Sequence, residues 1–68
     1  MTRIEAYTQL LMGKVVYIPK INQLLWKMLE DRSIVVGASH MDMTKHFLTM
    51  HTLANGWELY ELLGTNKV

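Results

Sequence analysis

The sequence contains no cysteine. Disulfide staples and thiolate metal centres are therefore excluded, and a reducing compartment fits. Long apolar runs are missing as well. The longest are stretches such as Val15-Val16-Tyr17-Ile18, whereas a membrane span needs about 20 residues. Met1 to Tyr7 show no basic segment followed by an apolar core, so they do not read as a signal peptide. The expectation is a cytoplasmic protein with no membrane partner. Neither sign of charge dominates, the formal net charge being +1 with neutral histidines. A nucleic-acid partner is thus disfavoured, because such proteins usually carry a strongly basic face. A polyanionic DNA mimic is excluded on the same ground.

What is present is a short chain whose apolar content is ample for one core and leaves a surplus. Its 68 residues, half of them hydrophobic, allow one domain spanning 1–68. A domain of this size buries only about 60% of its unfolded surface. Small domains commonly need a staple, and without cysteine the simplest is a second copy of the chain. Self-association as a two-fold dimer is expected, since one self-complementary patch then suffices.

Local patterns outline the elements. Thr2-Arg3-Ile4-Glu5 matches a capping box, and Ile4, Tyr7 and Leu11 share a helical face with Leu10 beside them. A helix from about Thr2 to Met12 is predicted, ended by Gly13. Val15-Val16-Tyr17-Ile18 reads as a strand closed by Pro19. Residues 21–32 are ambiguous. Ile21, Leu24, Leu25, Met28 and Leu29 fit helical spacing slightly better, yet the same stretch alternates like a strand. Ile34-Val35-Val36 is a short strand ended by Gly37. Asp42 is a plausible N-cap for a helix over about 42–54, with Phe47, Met50 and Ala54 on one face. Asn55-Gly56 stops it. Trp57 to Leu63 reads as a last strand or short helix, and Gly64 to Val68 as a frayed tail.

Few residues suggest chemistry. His46 and His51 lie five apart, roughly 140° around a helix, so they do not converge. Of His40, Asp42, His46 and His51, only Asp42 and His46 have i,i+4 spacing, and two such ligands are too few for a structural zinc site, which normally takes four. Ser33 and Ser39 lack a nucleophile-elbow context. Glu30 and Asp31 are adjacent and point apart. Gly13-Lys14 lacks the rest of a phosphate loop. No catalytic residue, metal or cofactor is expected, and the chain reads as a non-enzyme. Six methionines suit an irregular core or an adaptable surface. Tyr17, Trp26, Trp57 and Tyr60 are possible anchors, Trp57 reading more as core than Trp26. The candidate binding residues are Lys14, Tyr17, Lys20 and Trp26, with Tyr17 and Trp26 also the candidates for a dimer contact.

A broader pattern runs through these segments. A helix carrying Glu5-Ala6 and Leu10-Leu11 leads through Gly13-Lys14 into a strand. An aromatic hairpin follows, from Trp26-Lys27-Met28 to Asp31-Arg32-Ser33-Ile34, and Gly56-Trp57-Glu58-Leu59-Tyr60-Glu61 closes the pattern. This resembles the small accessory proteins of tailed phages, which include the Thoeris anti-defence nucleotide sponges. The resemblance implies that 24–29 is a strand. The fold expected is then α+β: an N-terminal helix, a small antiparallel sheet and a second helix near 42–54. The alternative is a mostly helical domain. The resemblance also implies a viral, non-catalytic protein that binds and inhibits a host protein, such as a defence or nucleic-acid enzyme. A second possibility is a sponge for a cyclic or ADP-ribose-type nucleotide, held by Lys14, Tyr17, Lys20 and Trp26. A third is a small DNA-binding regulator, in which helices at 21–32 and 42–54 mimic a helix-turn-helix.

Overall fold

In the computed structural model, which describes residues 1–60, the capping box forms as the sequence predicts. The Thr2 hydroxyl accepts from the Glu5 backbone N–H, and the Thr2 N–H donates to the Glu5 carboxylate at 2.9 Å. Helix α1 spans Arg3–Leu11. Gly13, at φ +83°, closes it in the left-handed conformation that glycine takes without strain. The buried face differs from the expected one. Ala6 and Leu10 are buried, while Ile4 is 76% and Leu11 44% exposed. Ala6 and Leu10 lie one turn apart on a single face. The small Ala6 lets the helix backbone approach the sheet, and Tyr7 packs at the edge of the contact.

Five strands follow: β1 Val15–Tyr17, β2 Trp26–Met28, β3 Ile34–Val36, β4 Met41–Asp42 and β5 Glu58–Tyr60. Their order is β4-β3-β2-β1-β5, antiparallel throughout. The fold is thus α+β, and the mostly helical alternative is set aside. Residues 21–32 resolve as a turn, a strand and a second turn. The Ile21 and Asn22 N–H groups donate to Ile18 C=O. After β2, Leu29 N–H donates to Ser33 C=O at 2.8 Å, and the Asp31 carboxylate accepts from Ser33 N–H. These bonds fix a hairpin between β2 and β3. The helix pair on which the DNA-binding reading rests is therefore not formed.

The second helix is shorter than expected. Asp42 belongs to β4, and α2 spans only Thr44–Thr49, followed by a 3-10 turn at His51–Leu53. Asp42 still acts at the helix start, taking hydrogen bonds from the Thr44 N–H at 3.0 Å and hydroxyl at 2.8 Å. The break falls at Met50, whose backbone is extended and whose C=O accepts from the Arg3 guanidinium. Beyond it the chain crosses the covered face of the sheet and returns as β5 beside β1. Residues 61–63 of the expected last element, and the tail 64–68, lie outside the described residues.

The core gathers Ala6 and Leu10 from α1, Val16, Trp26, Ile34 and Val36 from the sheet, Phe47 from α2, and Ile18, Leu53 and Trp57 from connections. Its centre is aromatic. Trp57 meets Trp26 edge-on at 5.2 Å and Phe47 at 5.1 Å, and the Trp57 indole N–H donates to Leu53 C=O at 2.7 Å. Trp26 is only 4% exposed. This corrects its assignment as a binding or dimer anchor: alternation along β2 turns it toward the helices, beside Phe47 and Trp57.

Three exposed carboxylates sit below their ordinary titration range. Asp42 is held there by the Thr44 backbone N–H and then its hydroxyl, Asp31 by the backbone and side chain of Ser33, and Glu5 mainly by the Thr2 backbone N–H. A depressed folded-state value means that the unfolded chain takes up protons first as pH falls. Their contribution is complete above the unfolded-state values and is lost on acidification. Thermal midpoints followed by circular dichroism should hold steady from neutral pH down to about 5 and then decline. Asp42→Asn should flatten that decline. Equal midpoints on both sides of the carboxylate range would refute this account.

Candidate functional site: the outer face of the sheet

Both helices pack on one face of the sheet, against Val16, Trp26, Ile34 and Val36. Side chains alternate along a strand, so the intervening residues point the other way. Register defines how they line up. Val15 pairs with Tyr60, Val16 with Trp26, Lys27 with Val35, and Val35 with Asp42. One row across the outer face therefore reads Tyr60, Val15, Lys27, Val35, Asp42. The next reads Glu58, Tyr17, Leu25, Gly37. Val35, on β3 beside the edge strand β4, is buried, whereas Val15, Tyr17 and Leu25 are half-buried. The Tyr17 and Tyr60 rings meet edge-on at 6.0 Å.

A groove of about 470 Å³ opens on this face, between the loop before β2 and the loop after β3. Val15, Leu24, Leu25 and Ala38 give it an apolar lining, and Gln23, Lys27 and His40 supply its polar groups. Its walls are held by local bonds. The Asn22 side chain accepts from Leu24 N–H at 2.9 Å, and Gly37 N–H donates to Leu25 C=O at 3.0 Å. Gly37, at φ +76°, lies close under the Leu24 side chain. His40 adopts a left-handed backbone, φ +56°, a conformation in which histidine is enriched among non-glycine residues.

The residues singled out from the sequence do not meet in this groove. Tyr17 lies on the outer face beside Tyr60. Lys14 is exposed just before β1, its N–H closing α1 onto Gln9 C=O. Lys20 is exposed in the turn after β1. The two lysines thus flank opposite ends of one strand and do not converge, and Trp26 is on the other face. Val15, Leu24, Leu25, Lys27 and His40 were not anticipated as a group. The one signal for them was the strand alternation at 24–29, which places Leu25 and Lys27 opposite Trp26. His46 lies in α2 and His51 in the 3-10 turn. Among the described residues, no three histidine or acidic side chains gather to hold a metal. No described helix is long and apolar enough to cross a membrane. No family model, curated protein or solved structure matches the chain.

Proposed function

We propose that this chain is a non-catalytic accessory protein of phage type that binds and inhibits a host protein in the host cytoplasm. The observation that carries the reading is the outer sheet face, where Val15, Tyr17, Leu25 and Tyr60 stand opposite the helices with a groove beside them. Half-exposed tyrosines are effective anchors, because they bring a large rigid surface and a polar tip. The Tyr17–Tyr60 pair, which is not part of the groove lining, also serves self-association in the free protein, with Tyr17 rather than Trp26 at the contact.

The test is retention of a host protein from bacterial lysate by the tagged chain, followed by titration with the purified target. Stoichiometric inhibition is expected. Tyr60→Asp changes an outer-face residue outside the core, and it should weaken target binding by about tenfold or more, as loss of an interface anchor does. Full inhibition by a stably folded Tyr60→Asp variant, or no enriched protein in repeated lysates, would remove the reading.

The Tyr17–Tyr60 pair also favours one alternative, a sponge for a cyclic or ADP-ribose-type nucleotide, since aromatic rings stack on bases. Trp26 is withdrawn from that platform, and Lys14 and Lys20 could serve one ligand only by meeting across copies of the chain. Calorimetry against a nucleotide panel separates the two readings: saturable heat selects the sponge.

A further inference from the structure

Between Val15 and Val35, on the outer face of the sheet, lies a single lysine. Register puts Lys27 directly opposite Val35 on one side and beside Val15 on the other. The nearest acidic residue in that row, Asp42, lies beyond Val35, and its carboxylate is engaged by Thr44. Among the described residues, the lining of the groove that Lys27 borders has no carboxylate. Its apolar wall is Leu24, Leu25, Val15 and Ala38. Lys27 is exposed, so its pull on an anion is partly screened by water, and the apolar wall beside it supplies the rest of the affinity. The volume of about 470 Å³ falls in the range of small-molecule sites.

We propose that this groove binds a small amphipathic monoanion, namely a free medium-chain carboxylic acid. Its hydrocarbon chain lies along Leu24, Leu25 and Val15, and its carboxylate meets the Lys27 ammonium. Two features make the site preformed. Asn22 fixes the bend that presents Leu24, and the Gly37 N–H bond to Leu25 joins the loop after β3 to the strand carrying Lys27. Gly37 has no side chain, so the Leu24 methyl group packs 3.8 Å from the place a Cβ would take. Charge selects the ligand: neutral chains gain only the apolar wall, and dianions meet only one full cation. This site shares Val15 and Leu25 with the face proposed to meet a host protein, but ligand titration and lysate retention are read separately, so either can fail without the other.

The probes are octanoate and its neutral counterpart octanol, titrated into the full chain with amide chemical shifts as the readout. Octanoate should saturate, with the largest shifts at Val15, Leu24, Leu25 and Ala38, and should bind up to about fivefold tighter than octanol, as an ion pair to an exposed lysine implies. Lys27→Met keeps most of the stem and removes the charge. It should bring octanoate down to the octanol value while leaving the thermal midpoint in place. Leu24→Asp, at an exposed position, should abolish binding of both. Equal binding of the two probes by the unmodified chain, or saturation with shifts elsewhere, overturns the proposal. Tighter binding of an acetylated dipeptide ending in leucine overturns it in favour of a protein C-terminus. Shifts of the groove amides on dilution, together with a dimer in sedimentation, overturn it in favour of a second copy.

Discussion

Trp57→Ala is expected to leave the domain largely unfolded at room temperature. Trp57 is fully buried, touches both Trp26 and Phe47, and donates its indole N–H to Leu53. Truncating a buried tryptophan costs about 3–5 kcal/mol, and a core of this size rarely supplies more than about 3–5 kcal/mol in total. The loss therefore equals the whole margin. Trp57→Phe isolates one part of it, since it keeps a ring but strands the Leu53 carbonyl, at about 1–3 kcal/mol. Trp26 is the internal control. Its indole nitrogen is buried with no hydrogen-bond partner among the described residues, so Trp26→Phe sacrifices no such bond and should cost less than Trp57→Phe. Urea titrations followed by circular dichroism give all three values. A Trp57→Ala chain that unfolds cooperatively at the wild-type midpoint would show that the aromatic centre is not what holds the fold.

Phe47→Ala should lower stability by about 3–5 kcal/mol as well, with a different spatial signature. Phe47 is the only buried residue of α2, and its ring lies 5.1 Å from Trp57, 6.0 Å from Trp26 and 6.3 Å from Tyr7. A helix of six residues is far below the roughly 12–15 needed for independent stability. Without this ring α2 has no buried side chain and keeps only polar ties, of Thr44 to Ile34 and of the Met50 carbonyl to Arg3. Native-state hydrogen exchange in an excluded osmolyte, which maintains the folded population, should show the Phe47 and Met50 amides losing protection first. In the intact protein these amides donate to Met43 and His46 carbonyls. The amides of the β2–β3 hairpin should be affected less. Leu48→Ala, at an exposed neighbour, should change stability by no more than about 0.5 kcal/mol. Uniform loss of protection across α2 and the hairpin would refute the local anchoring.

Those elements that depend on neighbouring residues were legible in the sequence. Thr2 and Glu5 specify the start of α1 by two bonds three residues apart, and Gly13 specifies its end. Ile34-Val35-Val36 is β-branched at every position and forms β3. Elements whose form depends on distant residues were not legible to the same degree. Leu24, Leu25, Met28 and Leu29 fit a helix locally, and their outcome is set by pairing of β2 with β3 and β1. The second helix is shorter than its pattern predicts: Phe47, Met50 and Ala54 have helical spacing, yet α2 ends at Thr49 and Met50 is extended. Nothing near Met50 in sequence reveals that Arg3, far along the chain, takes its carbonyl.

The candidate site divides in the same way. Tyr17 falls on the outer face, where alternation along β1 places it. Trp26 is one residue from that face, and a shift of one residue in a strand reverses the side chain. Its burial follows from the register Trp26 to Val16 and Val36, which periodicity alone does not fix. Lys14 and Lys20 are close in sequence, yet the strand between them holds them apart. The groove joins residues from the two sides of a hairpin, so no contiguous motif announces it.

The partnership of β1 with β5 has a consequence for how the protein is made. Ribosomes deliver the chain from its N-terminus, at about 5–20 residues per second. The β2–β3 hairpin needs only local closure and can form early, but Trp26 then has no Trp57 to cover it. Val16 likewise waits for Leu59, its partner in β5. Contacts between segments so far apart in sequence are slow to form. The nascent chain therefore exposes an indole and a β-branched edge until residues 57 to 60 emerge, and its core closes only after that part of the message has been translated.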